Sequence, residues 1–393
     1  MTRRDFLLQT AGAATLAVAA RAQSATSLPS PARFTAAVIG HTGRGNYGHN
    51  MDLVFGGRPN VDVVALADPS EAGRAKAQPR VRAQRMYADY REMLERERPQ
   101  LVAVAPRWTD QHHAMVGAAL AVGAHVYCEK PFTRTLAEAD ELLATARRTG
   151  RKIAVAHQGR LSAQTLLLKQ RLDAGFIGEL LELRVHGKQD KRAGGEDLIV
   201  LGTHQFDLVR FFAGDALWCS ARVLQGGHDI TLADAHAATE DIGLIAGDEI
   251  EALFALPRGV NVHYTSRAKN AAAAGPWGME LIGSQGRARL LNDVQTQVYV
   301  LRTGKLTAVG ETREWLPLVE PAGSQLTPPN FAQANKLVAD DWLAAIAEDR
   351  EPACSGFAAM KSLEMIHAVF AAGLSRGRVE LPLKRRAHPL TAA

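Results

Sequence analysis

Between residues 35 and 157, short apolar runs rich in β-branched residues alternate with longer stretches whose apolar positions recur at helical spacing. The short runs, at 35–39, 61–67, 101–105, 125–128 and 153–156, read as buried strands; 89–96, 111–121 and 136–149 read as helices crossing between them. That alternation predicts a doubly wound α/β domain with a parallel sheet over 34–157. Beyond residue 160 the pattern changes. A helix at 162–174, a strand at 180–185 and a helix at 203–212 precede strands at 217–224, 249–256, 260–266, 279–282, 288–291 and 297–301. Turn signals such as Pro257-Arg258-Gly259 and Gly283-Ser284-Gln285-Gly286 separate these strands, which predicts a largely antiparallel sheet. Helices at 331–348 and 356–373 close a second, α+β domain over 158–382, and the chain has no internal repeat.

A length of 393 residues exceeds the usual single core, and 47% hydrophobic with 22% charged residues is the composition of a soluble globular protein. The N-terminus changes where such a protein would work. Arg3 and Arg4 precede an apolar stretch at 11–20 that ends in small residues, which reads as a twin-arginine export signal over 1–22, with a Ser/Pro/Ala-rich linker at 23–33. The stretch is shorter than the roughly 20 apolar residues that span a bilayer and is interrupted by Gly12 and Thr15, so no stable membrane anchor is expected. The expectation is a periplasmic or otherwise exported protein handled by the twin-arginine machinery, which carries folded cargo.

Charge excludes one class of partner. The formal net charge of +5 falls to +3 once residues 1–22, with three arginines against one aspartate, are removed, and this is too mild to argue for nucleic acid. Lys384-Arg385-Arg386 lacks interleaved aromatics and reads as a solvated basic tail over 383–393. Three cysteines, Cys128, Cys219 and Cys354, leave at least one unpaired, and no structural disulfide is expected. No metal site is expected either. His112 and His113 are adjacent, and helix neighbours point about 100° apart.

Directly after the first strand stands Gly40-His41-Thr42-Gly43-Arg44-Gly45-Asn46-Tyr47-Gly48, in which Gly43 to Gly48 satisfies GxGxxG. Glycines permit the tight turn and let backbone amides approach a pyrophosphate at a helix N-terminus. Asp68 ends the second strand, 20 positions after Gly48, where a carboxylate binds an adenine ribose. It favours NAD over NADP, although Arg74 and Lys76 are close enough in sequence to reach a 2′-phosphate. The cofactor-binding residues expected here are Gly40, Thr42, Gly43, Arg44, Gly45, Asn46, Tyr47 and Asp68.

Glu129-Lys130-Pro131 follows the strand at 125–128, at the carboxyl edge where doubly wound domains bind ligands. An ammonium there would bond a ribose and a substrate hydroxyl and support alkoxide charge. With the glycine loop and Asp68, the stretch from His112 to Pro131 resembles the Gfo/Idh/MocA oxidoreductases, in which a histidine starts a helix and HVYCEKP follows. The resemblance continues through Gly175-Phe176-Ile177-Gly178-Glu179, Gly283-Ser284-Gln285-Gly286 and Asp349-Arg350-Glu351-Pro352, nearly from 34 to 382. It implies a Rossmann domain joined to an α/β domain with a large, mostly antiparallel open sheet whose other face often forms oligomers, here a dimer or tetramer. It also implies that Lys130 is catalytic, that Glu129 positions it, and that Trp108 and His112 belong to the cofactor site.

The family's second catalytic element pairs an aspartate with a histidine four residues later. The corresponding stretch supplies His204 as the histidine but Val200 in the aspartate's place. On a continuous helix Asp197 and Asp207 would lie near the His204 face, and either can substitute. Arg160 falls where relatives carry a basic residue facing substrate. Arg107 follows the strand at 101–105, and Tyr264 lies on, and Arg267 just after, the strand at 260–266, where alternate residues face opposite ways. The expected substrate contacts are Arg160, Asp197, His204 and Asp207.

These residues imply an exported NAD(P)-dependent oxidoreductase, with tightly bound cofactor, acting on a sugar, polyol or glycoside. Two alternatives stay open: a glycosidase or lyase that oxidises its substrate transiently with no net redox change, and a non-catalytic sugar-binding relative.

Overall fold

In a computed structural model of the chain, residues 33–268, 277–292, 296–301, 314–319 and 329–392 are described below. The signal at 1–22 and, apart from Arg33, the linker at 23–33 lie outside the described residues. The N-terminal half holds strands β1 (Phe34–Ile39), β2 (Val61–Ala67), β3 (Arg85–Tyr87), β4 (Leu101–Val104), β5 (His125–Cys128) and β6 (Ile153–Val155). It also holds helices α1 (Glu71–Val81), α2 (Tyr90–Glu97), α3 (His112–Ala121) and α4 (Leu136–Thr149). The strands form a parallel sheet in the order β3-β2-β1-β4-β5-β6, the doubly wound arrangement expected.

Two of these elements escape a reading of hydrophobic period. Helix α1 contains Gly73 and Pro79 and buries only Gly73, Ala77 and Val81, so it lacks an apolar stripe. Strand β3 is a three-residue edge with an exposed surface.

The glycine loop does not open onto a full helix, contrary to expectation. Between β1 and β2 the described chain has one 3₁₀ turn, Met51–Leu53, too short to cover the sheet. The face left bare is buried by α8 (Phe331–Ala347), from the far end of the chain. Val338, Ala339 and Trp342 pack among Ala36, Val38, Leu66 and Ala103. Alternate residues of β1, Ala37 and Ile39, point into a second core with α2, α3 and α4.

The C-terminal half runs α5 (Ala163–Asp173), β7 (Leu180–His186), α6 (Gly195–Val200), α7 (Gly202–Ala213) and β8 (Trp218–Gln225). Three two-residue strands follow: β9 (His228–Asp229), β10 (His236–Ala237) and β11 (Leu244–Ile245). Then come β12 (Glu249–Ala255), β13 (Asn261–Arg267), β14 (Trp277–Gly283), β15 (Arg287–Asn292), β16 (Gln297–Leu301) and β17 (Leu316–Pro317). After α8, α9 (Gly356–Ser375) and β18 (Val379–Glu380) complete the order. The second sheet has the path β17-β16-β15-β14-β7-β13-β12-β8-β18, antiparallel except where β13 runs beside β7.

Helix α9 is apolar and mostly buried, and it joins the two halves. Ala359, Met360 and Leu363 sit in the Rossmann-side core, while Met365, Ile366, Val369 and Phe370 sit in the core of the large sheet. The basic tail is solvated only in part: Lys384 and Arg385 are exposed, but the residues after them fold back onto the protein. Arg386 forks onto Asp140 and reaches the buried Glu364, and Leu390 and His388 are buried behind it. An arginine with two carboxylate partners is better placed against the protein than in water.

Two outcomes test this packing. Trp342→Ala is expected to cost about 3–5 kcal/mol in urea unfolding, as for loss of a fully buried indole, even though the ring covers a sheet whose last strand ends at Val155, far upstream. Burial holds His125 and His388 down to about 4, and each accepts a backbone N–H at Nδ1, from Lys152 and Leu390. Burial also keeps His204 and His367 well below the ordinary histidine value. The unfolded chain therefore takes up protons near pH 6.5 that the folded chain refuses, and stability falls as pH drops through that value toward 4. Thermal melts between pH 7 and 4.5 should show this decline before carboxylates contribute, and His388→Asn should shallow it.

Candidate active site

The Glu-Lys-Pro segment leaves β5 at the carboxyl edge of the parallel sheet, with the Glu129 amide bonded to the Val104 carbonyl. The Glu129 side chain is fully buried. Its Oε1 accepts from His49 Nδ1 at 2.7 Å and from the His49 amide at 3.2 Å, and Oε2 accepts from the Lys130 amide at 2.6 Å. Burial alone would raise its carboxyl, but His49 and Lys130 hold it down at about 2. Glu129 thus fixes the Lys130 main chain. It makes no hydrogen bond to the ammonium.

That ammonium donates instead to the Val200 carbonyl at 3.3 Å. The reason lies in a helix break. α6 ends at Val200, Leu201 turns the chain at φ −104°, and α7 begins at Gly202, so carbonyls at the end of α6 lack intrahelical partners. The position that carries valine therefore still serves Lys130, through its backbone. Burial lowers the Lys130 pKa, Glu129 and Glu240 oppose that shift, and Arg107 and Arg192 add to it.

His204, in the first turn of α7, turns its ring into the same cavity, of about 330 Å³. It makes no side-chain hydrogen bond among the described residues. Its ring lies 5.5 Å from that of His157, edge-on, and 5.8 Å from that of Trp277. Burial and the nearby Lys130, His157 and His49 hold it well below the ordinary histidine value, with Asp207 opposing. His157 bonds Thr203 Oγ1 at 2.9 Å. Beneath it Arg160 grips Asp207 bidentately, at 2.9 and 2.6 Å. Burial would raise the Asp207 carboxyl, but Arg160 and His157 keep it well below the usual carboxylate range.

The glycine loop lies beside this cavity, where the strand order reverses between β1 and β4. Gly45 (φ +83°) and Gly48 (φ +57°) are forced to be glycine. A Cβ on Gly45 would stand 2.4 Å from the Arg107 amide, and one on Gly48 would stand 2.6 Å from the Ala105 carbonyl. The ring of Tyr47 lies across Gly40 in the same way. Asn46 accepts the Gly43 amide on its side chain, and nothing lies within 4 Å of where a Gly43 Cβ would be. The crest of the loop is thus open to a pyrophosphate, and the residues present fit a dinucleotide.

Several expected contacts are arranged differently. Asp68 is fully buried and already accepts from the Thr42 amide and hydroxyl (2.7 Å) and the Ser70 amide, so a ribose must compete with Thr42 for it. His112 is buried with Nε2 against the Pro106 carbonyl and Nδ1 against that of Pro131, which ties two loops together and leaves no nitrogen for a cofactor. Arg44 lies 4.9 Å over Trp108 and reaches Asp110 and Asp241.

The continuous helix that would have aligned Asp197 with His204 is broken, and Asp197 stands apart from the cavity. It accepts from Ser266 Oγ and from the Lys188 and Gln189 amides. Asp207 and Arg160 do line the cavity, but they are committed to each other. Tyr264 is a core residue against Phe206, and Arg267 pairs with Glu249 and Glu251 on the outer sheet face. Arg107 lines the cavity and pairs with Glu240 at 2.7 Å.

Sequence reasoning missed His49, His157, Lys188, Arg192, Trp277 and Phe331, all of which line the cavity. Only His49 and His157 carried a local signal, next to Gly48 and at the end of β6. The others come from elements whose approach depends on tertiary packing.

Comparison with known proteins identifies the family and the fold. The family model described as the oxidoreductase family's NAD-binding Rossmann fold matches residues 34–157, and that for its C-terminal alpha/beta domain matches 169–381. A D-apiose dehydrogenase from Paraburkholderia graminis is 27% identical, over 89% of this chain and 90% of its own. A D-glucoside 3-dehydrogenase from Escherichia coli is 27% identical over 40% of this chain and 48% of its own. The solved structure of a levoglucosan dehydrogenase with NADH and levoglucosan has the same fold, with a TM-score of 0.72 at 18% identity, over 89% of this chain and all of that one. The two model matches together span most of the sequence, and the chain belongs to the Gfo/Idh/MocA family as an NAD-dependent oxidoreductase.

Proposed function

We propose that this oxidoreductase moves hydride to or from a hydroxyl-bearing carbon of a sugar, polyol or glycoside, and that it works outside the cytoplasm after twin-arginine export, with its cofactor held in place. The observation that carries the reading is that Lys130 and His204 line one cavity beside the glycine loop. The D-apiose, D-glucoside and levoglucosan dehydrogenases support a carbohydrate substrate.

Bound along the glycine loop, NAD supplies the two-electron acceptor. His204, neutral because its basicity is depressed, receives the proton of the substrate hydroxyl. Lys130 donates a hydrogen bond to the same oxygen as its negative charge develops. The Val200 carbonyl orients that ammonium, and Glu129 with His49 fixes the backbone from which it projects. A homo-oligomer fits the outer face of the large sheet, where Glu182, Arg184 and Glu251 present both signs of charge.

Protein purified from a periplasmic extract is expected to release NAD(H) on denaturation, identified by mass spectrometry, and a reactive sugar should change the nucleotide's redox state. Protein that contains no nucleotide and binds added NAD weakly would count against a retained cofactor. Aglycone release with no change in nicotinamide absorbance would instead mark a transient oxidation. Lys130→Met should lower kcat/KM by about two orders of magnitude or more. In the wild type the acid limb of kcat/KM should lie below the ordinary histidine value of about 6.5, because His204 stays unprotonated there.

A further inference from the structure

Among the described residues, the ionisable groups around the cavity do not balance. Five cationic side chains line it, Arg107, Lys130, Arg160, Lys188 and Arg192, against two carboxylates, Asp207 and Glu240. All three arginines are committed to protein carboxylates: Arg107 to Glu240 at 2.7 Å, Arg160 to Asp207, and Arg192 to Asp190 at 3.2 Å. Lys130 has the neutral Val200 carbonyl as its partner. Lys188 is half-buried and makes no side-chain hydrogen bond or close ion pair among the described residues; the carboxylate that feels its charge, Asp190, is bonded to Arg192.

Lys188 is held at the cavity wall by its own loop. The buried Asp197 carboxylate accepts the amides of Lys188 and Gln189, at 3.3 and 3.2 Å, and Ser266 Oγ at 2.7 Å. Gly187 has no room for a side chain, since a Cβ would stand 1.9 Å from Asp197 Oδ2. A partly desolvated cation on a pinned loop, facing a site that already contains Lys130, calls for an anion from outside the chain.

Resting on the oxidoreductase reading of this site, we propose that the substrate is a sugar acid whose carboxylate is received by Lys188 while its reacting hydroxyl lies between Lys130 and His204. The charge count favours a carboxylate over a phosphate. With the arginine forks occupied and Lys130 needed at the reacting oxygen, one ammonium remains, which matches a monoanion. Asp197 is then a positioning residue, acting through the loop that carries Lys188.

The test uses the NAD-loaded enzyme with matched pairs: glucose and glucuronate, galactose and galacturonate, sorbitol and gluconate, with glucose 6-phosphate added. Initial rates and calorimetric binding are measured for each. The expected result is an acid-to-neutral ratio in kcat/KM or affinity of about ten or more, falling as salt is raised, and reduced about tenfold in Lys188→Gln and partly restored in Lys188→Arg. A ratio near one, a ratio unchanged in Lys188→Gln, preference for the phosphate ester, or neither turnover nor binding of any acid would overturn the proposal. Turnover of neutral sugars without acid preference overturns this inference alone. Lys188-dependent binding of acids without any change in NAD redox state sinks the dehydrogenase reading and leaves the anion site standing.

Discussion

The architecture depends on covering one face of the parallel sheet. The β1–β2 connection is spent on the glycine loop and a single 3₁₀ turn, so apolar residues such as Ala36, Val38 and Leu66 would face water without another element. Burying that surface is worth roughly 25 cal/mol per Å², and the chain supplies α8 from its far end. The same helix carries Asn335, fully buried, which accepts from Tyr127 Oη at 2.9 Å and from Gln158 Nε2 at 2.6 Å, and donates to the His49 carbonyl. One side chain thereby ties β5, the segment after β6 and the glycine loop to α8. With α9 shared between both cores, the two halves are packed as one body around the cavity.

Within that frame the site is governed by desolvation against pairing. Glu129 and Asp207 are both buried and both held in the charged form, because each has cationic or N–H partners on more than one side. His204 has no such partner and is surrounded by positive charge, so burial wins and it is kept neutral. Lys130 falls between these cases. Its charge is favoured by Glu129 and Glu240 and disfavoured by burial. This division leaves one neutral base and one ammonium of increased acidity facing the same space, which suits proton movement coupled to hydride transfer.

Val200 illustrates how a side-chain identity can mislead. The loss of an aspartate suggested that Lys130 and His204 had lost an organising group. The helix break at Leu201 shows that the backbone at this position still contacts Lys130, while Asp197, the nearest acidic substitute by sequence, was needed to hold the 187–190 loop. Helical spacing could not anticipate this, because the projection assumed one continuous helix.

The α/β order, the parallel and antiparallel sheets, the glycine loop and the Glu-Lys-Pro segment are all legible along the chain. Hydrophobic period and turn chemistry are local properties, and those motifs act through residues adjacent in the chain. Short or weakly apolar elements, β3, α1 and α6, stayed hidden because they carry too few periodic positions. Only the tertiary structure decided that α8 covers the first sheet, that Asp68 and His112 spend their polar atoms on neighbouring loops, and that His49, His157 and Lys188 meet Lys130 and His204. Those relations depend on which buried groups find partners across separations of 6 to 286 residues, and burial creates that requirement only once the chain has folded.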